Sequence, residues 1–262
     1  MIDLHAHILP GLDDGPKHLD EALEMCRIAV RDGVTTIVAT PHAGNGTYDN
    51  KKEKILSAVQ QLVAHLEESK IPLRILAGSD AYIRQDLCTL VEDGSITTVN
   101  DSHRYVMVEF PKHVITPQWM DWLFEARLRG IIPIFTHPER HTVIQKDISM
   151  VSRWVNQGGL VQVTAMSLTG DFGPDARKCA EELLRRHLAH VIASDAHSRH
   201  QRPPVLSKAF FAASNVVDSS YAYKLVKEFP EAIIAGENII DVPEPVFNKR
   251  GLFRRICSTF TS

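Results

Sequence analysis

The chain opens with MIDLHAH, residues 1–7, in which a short apolar run ends in two histidines one residue apart. Side chains alternate across an extended strand with a period of two, so His5 and His7 point to the same side of that strand. A short apolar run of this kind is typical of a strand buried on both faces, as in a parallel sheet. This first segment therefore predicts an α/β fold whose first strand delivers two imidazoles at its carboxyl end.

Similar apolar runs recur along the chain and alternate with amphipathic helical stretches. The predicted strands are Ile2–His5, Val34–Thr40, Leu73–Gly78, Tyr105–Glu109, Ile131–Thr136, Gly159–Thr164 and Val191–Ser194, and the predicted helices lie near residues 18–32, 50–69, 117–129, 142–157 and 174–188. Seven such units without a break in composition favour one closed or nearly closed barrel, a fold of roughly 250 residues. An open doubly wound sheet is the alternative, but the sequence has no GxGxxG turn of the kind a dinucleotide-binding sheet would carry.

Side chains that can bind metal follow six of the seven predicted strands, and only the strand ending near Thr164 lacks one. In a barrel the carboxyl ends of the strands converge on one mouth, where the active site lies. The residues are His5, His7, His42, Asp80, Glu109, His137, Asp195 and His197. A single histidine at a strand end is usually an ordinary polar residue, but the joint pattern predicts a site for several metal ions. Mixed nitrogen and oxygen ligands suit zinc, manganese or iron.

The composition argues against several other classes of protein. With 29 Lys and Arg against 32 Asp and Glu, the formal charge is −3, which disfavours binding to nucleic acid through phosphate attraction. The sequence shows no apolar run near the roughly 20 residues that span a bilayer and no secretory leader. The four cysteines are scattered without a CxxC pair, so we expect a reduced, cytoplasmic protein with neither disulfides nor a zinc–thiolate site.

The order of the motifs resembles that of the polymerase-and-histidinol-phosphatase (PHP) superfamily. HxH, TPH, GxD, EFP, HPER and SDAH follow one another at residues 5–7, 40–42, 78–80, 109–111, 137–140 and 194–197. The fuller strings MIDLHAHILPGLDDG (1–15), ATPH (39–42) and SDAH extended to RPP (194–204) are similar to the bacterial tyrosine phosphatases of the CpsB/YwqE type, from capsule and exopolysaccharide operons. The resemblance implies a distorted (β/α)7 TIM-like barrel of the PHP type with three divalent metal ions, manganese foremost and iron or zinc as alternatives.

The resemblance implies a set of nine metal ligands, found by matching the family's motifs to this sequence residue by residue. They are His5, His7, Asp14, His42, Asp80, Glu109, His137, Asp195 and His197. Asp14 matches the family better than Asp13 because it directly precedes Gly15. Asp80 stands where the family usually has Glu, so this carboxylate is one methylene shorter, and either the strand end shifts or one ion binds more weakly. Ala43 replaces the second histidine of the frequent TPHH, at a position outside the ligand set. Neither departure removes a type of ligand, so we expect an active enzyme.

Two arginines follow predicted ligands on the same loops. A guanidinium matches two oxygens of a phosphoryl group, and the resemblance assigns Arg140 and Arg202 to phosphate binding. The alternatives are an ion pair of Arg140 with Glu139 and a helix-capping role for Arg202. The C-x5-R spacing from Cys179 to Arg185 falls within the predicted helix at 174–188 and not in a loop, which favours metal-assisted hydrolysis over a phosphocysteine intermediate. His42 or His197 is expected to protonate the leaving oxygen.

The function implied by the resemblance is a metal-dependent protein-tyrosine phosphatase acting on a membrane-anchored bacterial tyrosine autokinase that controls capsule or exopolysaccharide synthesis. There are two alternative functions. A small-molecule phosphatase such as histidinol phosphatase would use the same metal-dependent chemistry. A kinase-binding module with a decayed metal cluster would catalyse no reaction. We expect a single PHP phosphatase domain over 1–262, with a basic amphipathic tail at about 244–262. That tail packs on the barrel, forms a disordered end or lies on an anionic membrane surface at the inner face.

The loop at 43–50 either lines the substrate site, with Tyr48 against the phosphotyrosine ring, or is a plain surface loop.

Overall fold

The computed structural model describes residues 1–111, 114–116 and 118–246. Within these ranges the strands are β1 (Ile2–Ala6), β2 (Thr36–Ala39), β3 (His42–Ala43), β4 (Arg74–Ala77), β5 (Asp80–Tyr82), β6 (Tyr105–Glu109), β7 (Ile132–Thr136), β8 (Leu160–Thr164) and β9 (Val191–Ala193). The α-helices are α1 (Leu19–Arg31), α2 (Lys52–Glu68), α3 (Leu87–Glu92), α4 (Gln118–Leu128), α5 (Thr142–Lys146), α6 (Ser149–Asn156), α7 (Ala165–Thr169), α8 (Pro174–Arg185), α9 (Ser207–Ser214), α10 (Ser219–Tyr223) and α11 (Phe229–Ala235). Two 3-10 turns, Val99–Asp101 and Pro138–Arg140, and a π-helical turn, Lys224–Glu228, complete the described elements.

The paired strands of both sheets run parallel, which confirms the predicted α/β class. One sheet has the order β1–β2–β4, and the second has the order β3–β5–β6–β7–β8–β9. Hydrogen bonds at the end of β1 link the two sheets: His7 N donates to Ala196 O at 2.8 Å, and Asp195 N donates to His5 O at 2.8 Å. The described strands therefore form two linked parallel sheets and not a closed barrel, whereas the sequence predicts a closed or nearly closed one.

Two of the predicted strands, Val34–Thr40 and Leu73–Gly78, are each followed after a break by a short strand that carries residues of the site. β2 ends at Ala39, and strand pairing resumes at His42 in β3. Pro41 lies between them and has no N–H to donate to a sheet. β4 and β5 are separated at Gly78, where a Cβ atom would lie 2.7 Å from Val38 Cγ1, so only glycine allows this close approach. Because β3 pairs with β5 and not with β1, the breaks transfer two strand ends from the first sheet to the second.

The strands are buried on both faces, as expected for parallel sheets. One apolar cluster is built mainly from strand side chains, and it includes Leu4, Val38, Met107, Ile134 and Val191. A larger cluster packs the other faces of the strands against the surrounding helices. Close packing on both sides holds the strand ends in place, so the residues at those ends form a rigid site.

Four of the five predicted helices are single helices at the predicted positions, and the fifth differs. The predicted helix at 142–157 is two helices, α5 and α6, because Asp147 is extended (φ −142°, ψ 91°) and its carboxylate accepts the backbone N–H of Ser149 at 3.0 Å. No helix in the described part of the chain combines the length and apolar character needed to cross a membrane. The predicted basic tail lies outside the described residues from residue 247 onward.

Candidate metal and phosphate site

Two buried imidazoles at the end of β1 are oriented by hydrogen bonds. His5 Nδ1 donates to Gln162 Oε1 at 3.0 Å, and His7 Nδ1 donates to the Asp13 carboxylate at 2.6 Å. Gln162 Oε1 also lies 3.3 Å from the backbone N of His137, which supports its assignment as the acceptor. Because each Nδ1 carries the proton, both Nε2 atoms keep a lone pair, and they lie 3.2 Å apart.

The protonation state of these imidazoles suits metal binding. Burial lowers the pKa of His5 to about 3 and that of His7 to about 4. Both side chains are therefore neutral at neutral pH, which is the form of histidine that binds a metal ion.

Three overlapping groups of side chains bring ligand atoms within 4.8 Å of one another. The groups are His7, Asp14, His42 and His197; His5, His7 and Asp80; and His42, Asp80 and Glu109. Since His7, His42 and Asp80 each belong to two groups, the three form one continuous cluster. Imidazole nitrogens and carboxylate oxygens together are a donor set for zinc, manganese or iron.

Asp80 shows that the cluster fits a cation. The residue is 1% exposed, and neither of its carboxylate oxygens has a hydrogen-bond partner among the described residues; the buried His42 Nδ1 also lacks one there. A buried carboxylate without partners is costly. Burial, followed by the charges of Glu109 and Asp195, raises the pKa of Asp80 well above its ordinary value. A divalent ion among these atoms would supply the missing partners.

The shorter side chain of Asp80 still reaches the cluster. The register of β3 and β5 pairs His42 directly with Asp80. Asp80 Oδ2 lies 3.6 Å from His42 Nδ1 and 3.7 Å from His5 Nε2. The carboxylate therefore lies beside imidazoles from two different strands, although it is one methylene shorter than Glu.

Glu109 and His137 form the next part of the cluster. Glu109 Oε2 lies 3.4 Å from His42 Nδ1, and its Oε1 lies 4.0 Å from His137 Nε2. His137 has a left-handed backbone (φ 38°) directly after β7, a conformation that a non-glycine residue adopts only when its surroundings enforce it. Burial, followed by the charge of Arg140, lowers the pKa of His137 well below its ordinary value. His137 thus lies beside the three ligand groups as a neutral imidazole.

Asp195 connects the cluster to the two arginines. Its Oδ1 lies 3.5 Å from His5 Nε2 and 3.6 Å from His7 Nε2. Its Oδ2 accepts hydrogen bonds from Arg140 and Arg202, each at 2.5 Å. Burial would raise the pKa of Asp195, but the neighbouring histidines and arginines outweigh burial and hold the pKa well below its ordinary value. An ionised carboxylate therefore stands between the metal-ligand cluster and a pair of guanidinium groups.

The two arginines also share an aromatic neighbour. The Cζ atoms of Arg140 and Arg202 lie 4.6 and 5.6 Å from the centroid of the Phe172 ring, within the range of a cation–π contact. Glu139, the alternative partner of Arg140, is instead fully buried and accepts the backbone N–H of Thr164 at 3.0 Å. Both guanidinium groups thus lie at the site, in a position to bind oxygens of a phosphoryl group.

Asp14 and Asp13 have different environments. Asp14 Oδ1 lies 3.3 Å from His197 Nε2, and this contact lowers the pKa of Asp14 below its ordinary value. Asp13 is buried and accepts from His7 Nδ1 and from the backbone N of Gly15. A Cβ atom on Gly15 would lie 2.5 Å from the carbonyl oxygen of His7, so this turn needs glycine. The geometry matches Asp14 as a ligand and Asp13 as the group that orients His7.

The loop after β3 borders the cluster. The Tyr48 ring lies nearly parallel to the His42 ring, with centroids 5.9 Å apart and an angle of 10°. Asn50 Nδ2 donates to the carbonyl oxygens of Leu12 and His42, each at 2.9 Å. Loop 43–50 is therefore attached to the site, with Tyr48 beside one of the predicted ligands.

The structure brings all nine predicted ligands and both predicted arginines into one region. Three neighbours that the sequence analysis does not single out as site residues are Asp13, Gln162 and Phe172. Asp13 adjoins a predicted ligand, and Gln162 is a polar residue within the apolar segment LVQVT, so both had a signal in the sequence. Phe172 had none, because its contact with the arginines depends on the tertiary fold.

These features define a class of protein: an α/β fold with a buried cluster of metal-ligand side chains at the strand ends and arginines beside it, the arrangement of a metal-dependent phosphoesterase.

Comparisons with known proteins identify the family within that class. The family profile described as capsular polysaccharide synthesis, CpsB/CapC, matches residues 1–235. A putative tyrosine-protein phosphatase, CapC of Staphylococcus aureus, is 39% identical over 211 residues, which is 80% of this chain and 82% of that protein. The tyrosine-protein phosphatase YwqE of Bacillus subtilis strain 168 is 34% identical over 255 residues, which is 97% of this chain and 99% of that protein.

A solved structure is also similar. A crystal structure from work on YwqE of Bacillus subtilis and CpsB of Streptococcus pneumoniae, described as metal-dependent tyrosine phosphatases, has a TM-score of 0.89 at 33% identity. The match covers 95% of this chain and 100% of that one. The chain belongs to the CpsB/CapC family of capsular polysaccharide synthesis proteins.

Proposed function

We propose that this protein is a metal-dependent protein-tyrosine phosphatase that acts in capsular or exopolysaccharide synthesis. The observation that carries the proposal is the pair of guanidinium groups, Arg140 and Arg202, joined through Asp195 to a buried cluster of imidazoles and carboxylates. Such a site can bind a phosphate ester and hydrolyse it. The similarity to proteins named tyrosine-protein phosphatases points to phosphotyrosine as the ester.

The proposed metal centre holds three divalent ions, with manganese as the first expectation and iron or zinc as alternatives. The three overlapping ligand groups support three positions, and His137 and Asp195 lie close enough to complete the ligand set. Bound ions would lower the pKa of a water molecule toward neutrality and offset the charge of the phosphoryl group.

The side chains of the protein would position the substrate and move the proton. Arg140 and Arg202 bind phosphoryl oxygens and offset the charge that develops during hydrolysis. His42 and His197 have side chains that are 13% and 8% exposed, and the one not engaged by metal protonates the tyrosine oxygen. The hydroxyl group of a phenol has a pKa of about 10, so this leaving group depends less on protonation by an acid than an alkyl alcohol does.

We also propose that the two sheets are parts of one distorted (β/α)7 barrel of the PHP type. The hydrogen bonds between β1 and residues 195–196 support this arrangement because they join the sheets beside the site. The strand breaks at Pro41 and Gly78 account for the distortion.

The proposed protein substrate is the phosphorylated tail of a membrane-anchored bacterial tyrosine kinase, reached from the cytoplasm. The basic residues of the tail at 244–262 are consistent with contact at the inner face of the membrane, where such a kinase would be anchored.

A comparison of substrates tests this function. Metal-loaded protein would be given a phosphotyrosine peptide, the same peptide with phosphoserine, and histidinol phosphate, and phosphate release would be measured for each. We expect hydrolysis of the phosphotyrosine peptide to be the fastest by a wide margin. Preference for histidinol phosphate would identify a small-molecule phosphatase, and no release from any substrate, with kinase binding intact, would identify a binding module.

A further inference from the structure

A cavity of about 240 Å³ adjoins the phosphate side of the site. Its lining includes Phe110, Phe135, Ile144 and Trp154, together with residues of the 3-10 turn that carries Arg140. We call this space the aryl pocket.

The apolar walls of the aryl pocket are three aromatic rings packed against one another. The ring centroids of Phe135 and Trp154 are 4.5 Å apart, those of Phe110 and Trp154 are 5.0 Å apart, and both pairs are stacked. Phe110 is 9% exposed, while Phe135 and Trp154 are each 1% exposed. Such walls favour an apolar, flat ligand, because aromatic rings attract one another in offset-stacked or edge-to-face contacts.

The aryl pocket shares three lining residues with the metal and phosphate groups. Three of its lining residues, Glu109, His137 and Arg140, keep side-chain exposures of 16, 15 and 27%. These are the same residues that face the metal-ligand cluster and Asp195. A ligand whose phosphoryl group is bound by Arg140 would therefore have its next atoms at the mouth of this cavity.

The volume of the aryl pocket suits one aromatic ring. An apolar cavity of about 150 Å³ is large enough to bind benzene, and the aryl pocket exceeds that size. A phosphotyrosine carries its ring directly on the phosphate oxygen, so the ring can enter while the phosphoryl group stays at the site. An alkyl phosphate has no ring to fill this volume.

We propose that the aryl pocket binds the phenyl ring of the phosphotyrosine ester and is the basis for selecting aryl over alkyl phosphates. This inference rests on the proposed phosphatase function. Ile144 is its most useful test position, because it is 2% exposed, lines the pocket and belongs to α5 rather than to the metal or phosphate groups.

The test compares two inert phosphonates on metal-loaded protein by calorimetry. Phenylphosphonate should bind roughly tenfold or more tightly than methylphosphonate, because only the phenyl ring buries apolar surface. Ile144→Trp should fill the pocket, abolish that preference and leave the affinity for methylphosphonate within about twofold, since Ile144 belongs to α5 and not to the metal or phosphate groups. The control Ile240→Trp makes the same change at a side chain that is 73% exposed, and it should behave like wild type.

A second measurement does not depend on the folding of a variant. In crystals of metal-loaded wild-type protein with 4-bromophenylphosphonate, the bromine should lie in the cavity, against the wall formed by Phe110, Phe135 and Trp154. A bromine position in solvent, or a phenyl preference that survives in folded Ile144→Trp, would overturn the pocket assignment even if the protein hydrolyses phosphotyrosine. Failure to release phosphate from phosphotyrosine would instead refute the proposed function, so the two failures are distinguishable.

Discussion

Replacing Gln162 with Met should weaken metal binding while the protein still folds. Gln162 is fully buried on β8, and its Oε1 accepts from His5 Nδ1 at 3.0 Å and lies 3.3 Å from the backbone N of His137. The side chain of Met is similar to that of Gln in length and shape, but its thioether sulfur is only a weak hydrogen-bond acceptor. In Gln162→Met, His5 would keep a buried N–H without a good partner and lose the contact that directs its Nε2 toward Asp80.

The size of the effect follows from these contacts. The backbone N of His137 keeps a second acceptor, the carbonyl oxygen of Gln162 at 3.0 Å, so the loss falls mainly on His5. A buried donor left without a partner costs about 1–3 kcal/mol, which is the expected decrease in the free energy of unfolding of the metal-free protein. Loss of the hydrogen bond that orients a metal-bound histidine lowers metal affinity by about 10- to 100-fold.

Two assays would measure these effects. Competition with a chromophoric chelator gives the affinity of each bound ion, and guanidinium denaturation of metal-free protein gives the free energy of unfolding. Gln61→Met is the matched control, because it makes the same change on the exposed face of α2. If folded Gln162→Met bound metal as tightly as wild type, the role assigned to this hydrogen bond would be refuted.

Three further predictions test other parts of the site and the fold. Arg140→Ala should lower turnover of a phosphotyrosine peptide by about 10²- to 10³-fold without changing the metal content, as measured by steady-state kinetics and elemental analysis, with Arg127→Ala as an exposed control; equal turnover would exclude a role in phosphate binding. Asp13→Asn should weaken metal binding by about 10- to 100-fold in chelator competition, because His7 Nδ1 loses its charged acceptor at 2.6 Å; unchanged affinity would show that this contact does not orient the ligand. Burial lowers the pKa of His190 from 6.5 to about 4, so its contribution to stability is present above pH 6.5 and is lost as the pH falls toward 4. Between pH 7 and pH 5, metal-free wild type should therefore lose about 2 kcal/mol more stability than His190→Asn in chemical denaturation, and parallel losses would contradict this assignment.

The sequence predicts which candidate ligands lie close together, because strand ends in parallel sheets converge. His5 and His7 share one side of β1, and His42 pairs in register with Asp80, so position along each strand was enough to place these side chains together. Motif order added Asp14, which the strand pattern alone would not have selected. The structure places Asp14 beside His197, as a ligand would require.

Other features of the site depend on contacts that sequence position does not reveal. Gln162 orients His5 from 157 residues away, and Phe172, in the turn between α7 and α8, contacts both arginines. The sequence predicts the strand Val34–Thr40 but not the separate short strand His42–Ala43 that follows Pro41.

The same limit applies to His190, which does not follow a predicted strand and is therefore not marked by the strand-end pattern. It is 2% exposed, and its Nδ1 accepts the backbone N–H of Val161 at 3.2 Å. This contact joins β9 to β8 and is invisible to a strand-end criterion.

We propose that the buried cluster binds metal ions and that phosphotyrosine hydrolysis requires them. The most direct measurement is phosphate release from a phosphotyrosine peptide during titration of chelator-stripped protein with manganese, with bound metal determined in the same samples. We predict no release from the stripped protein, release that rises as the cluster fills, and loss of release on addition of EDTA. Full release from metal-free protein, or none from protein with a filled cluster, would contradict the account.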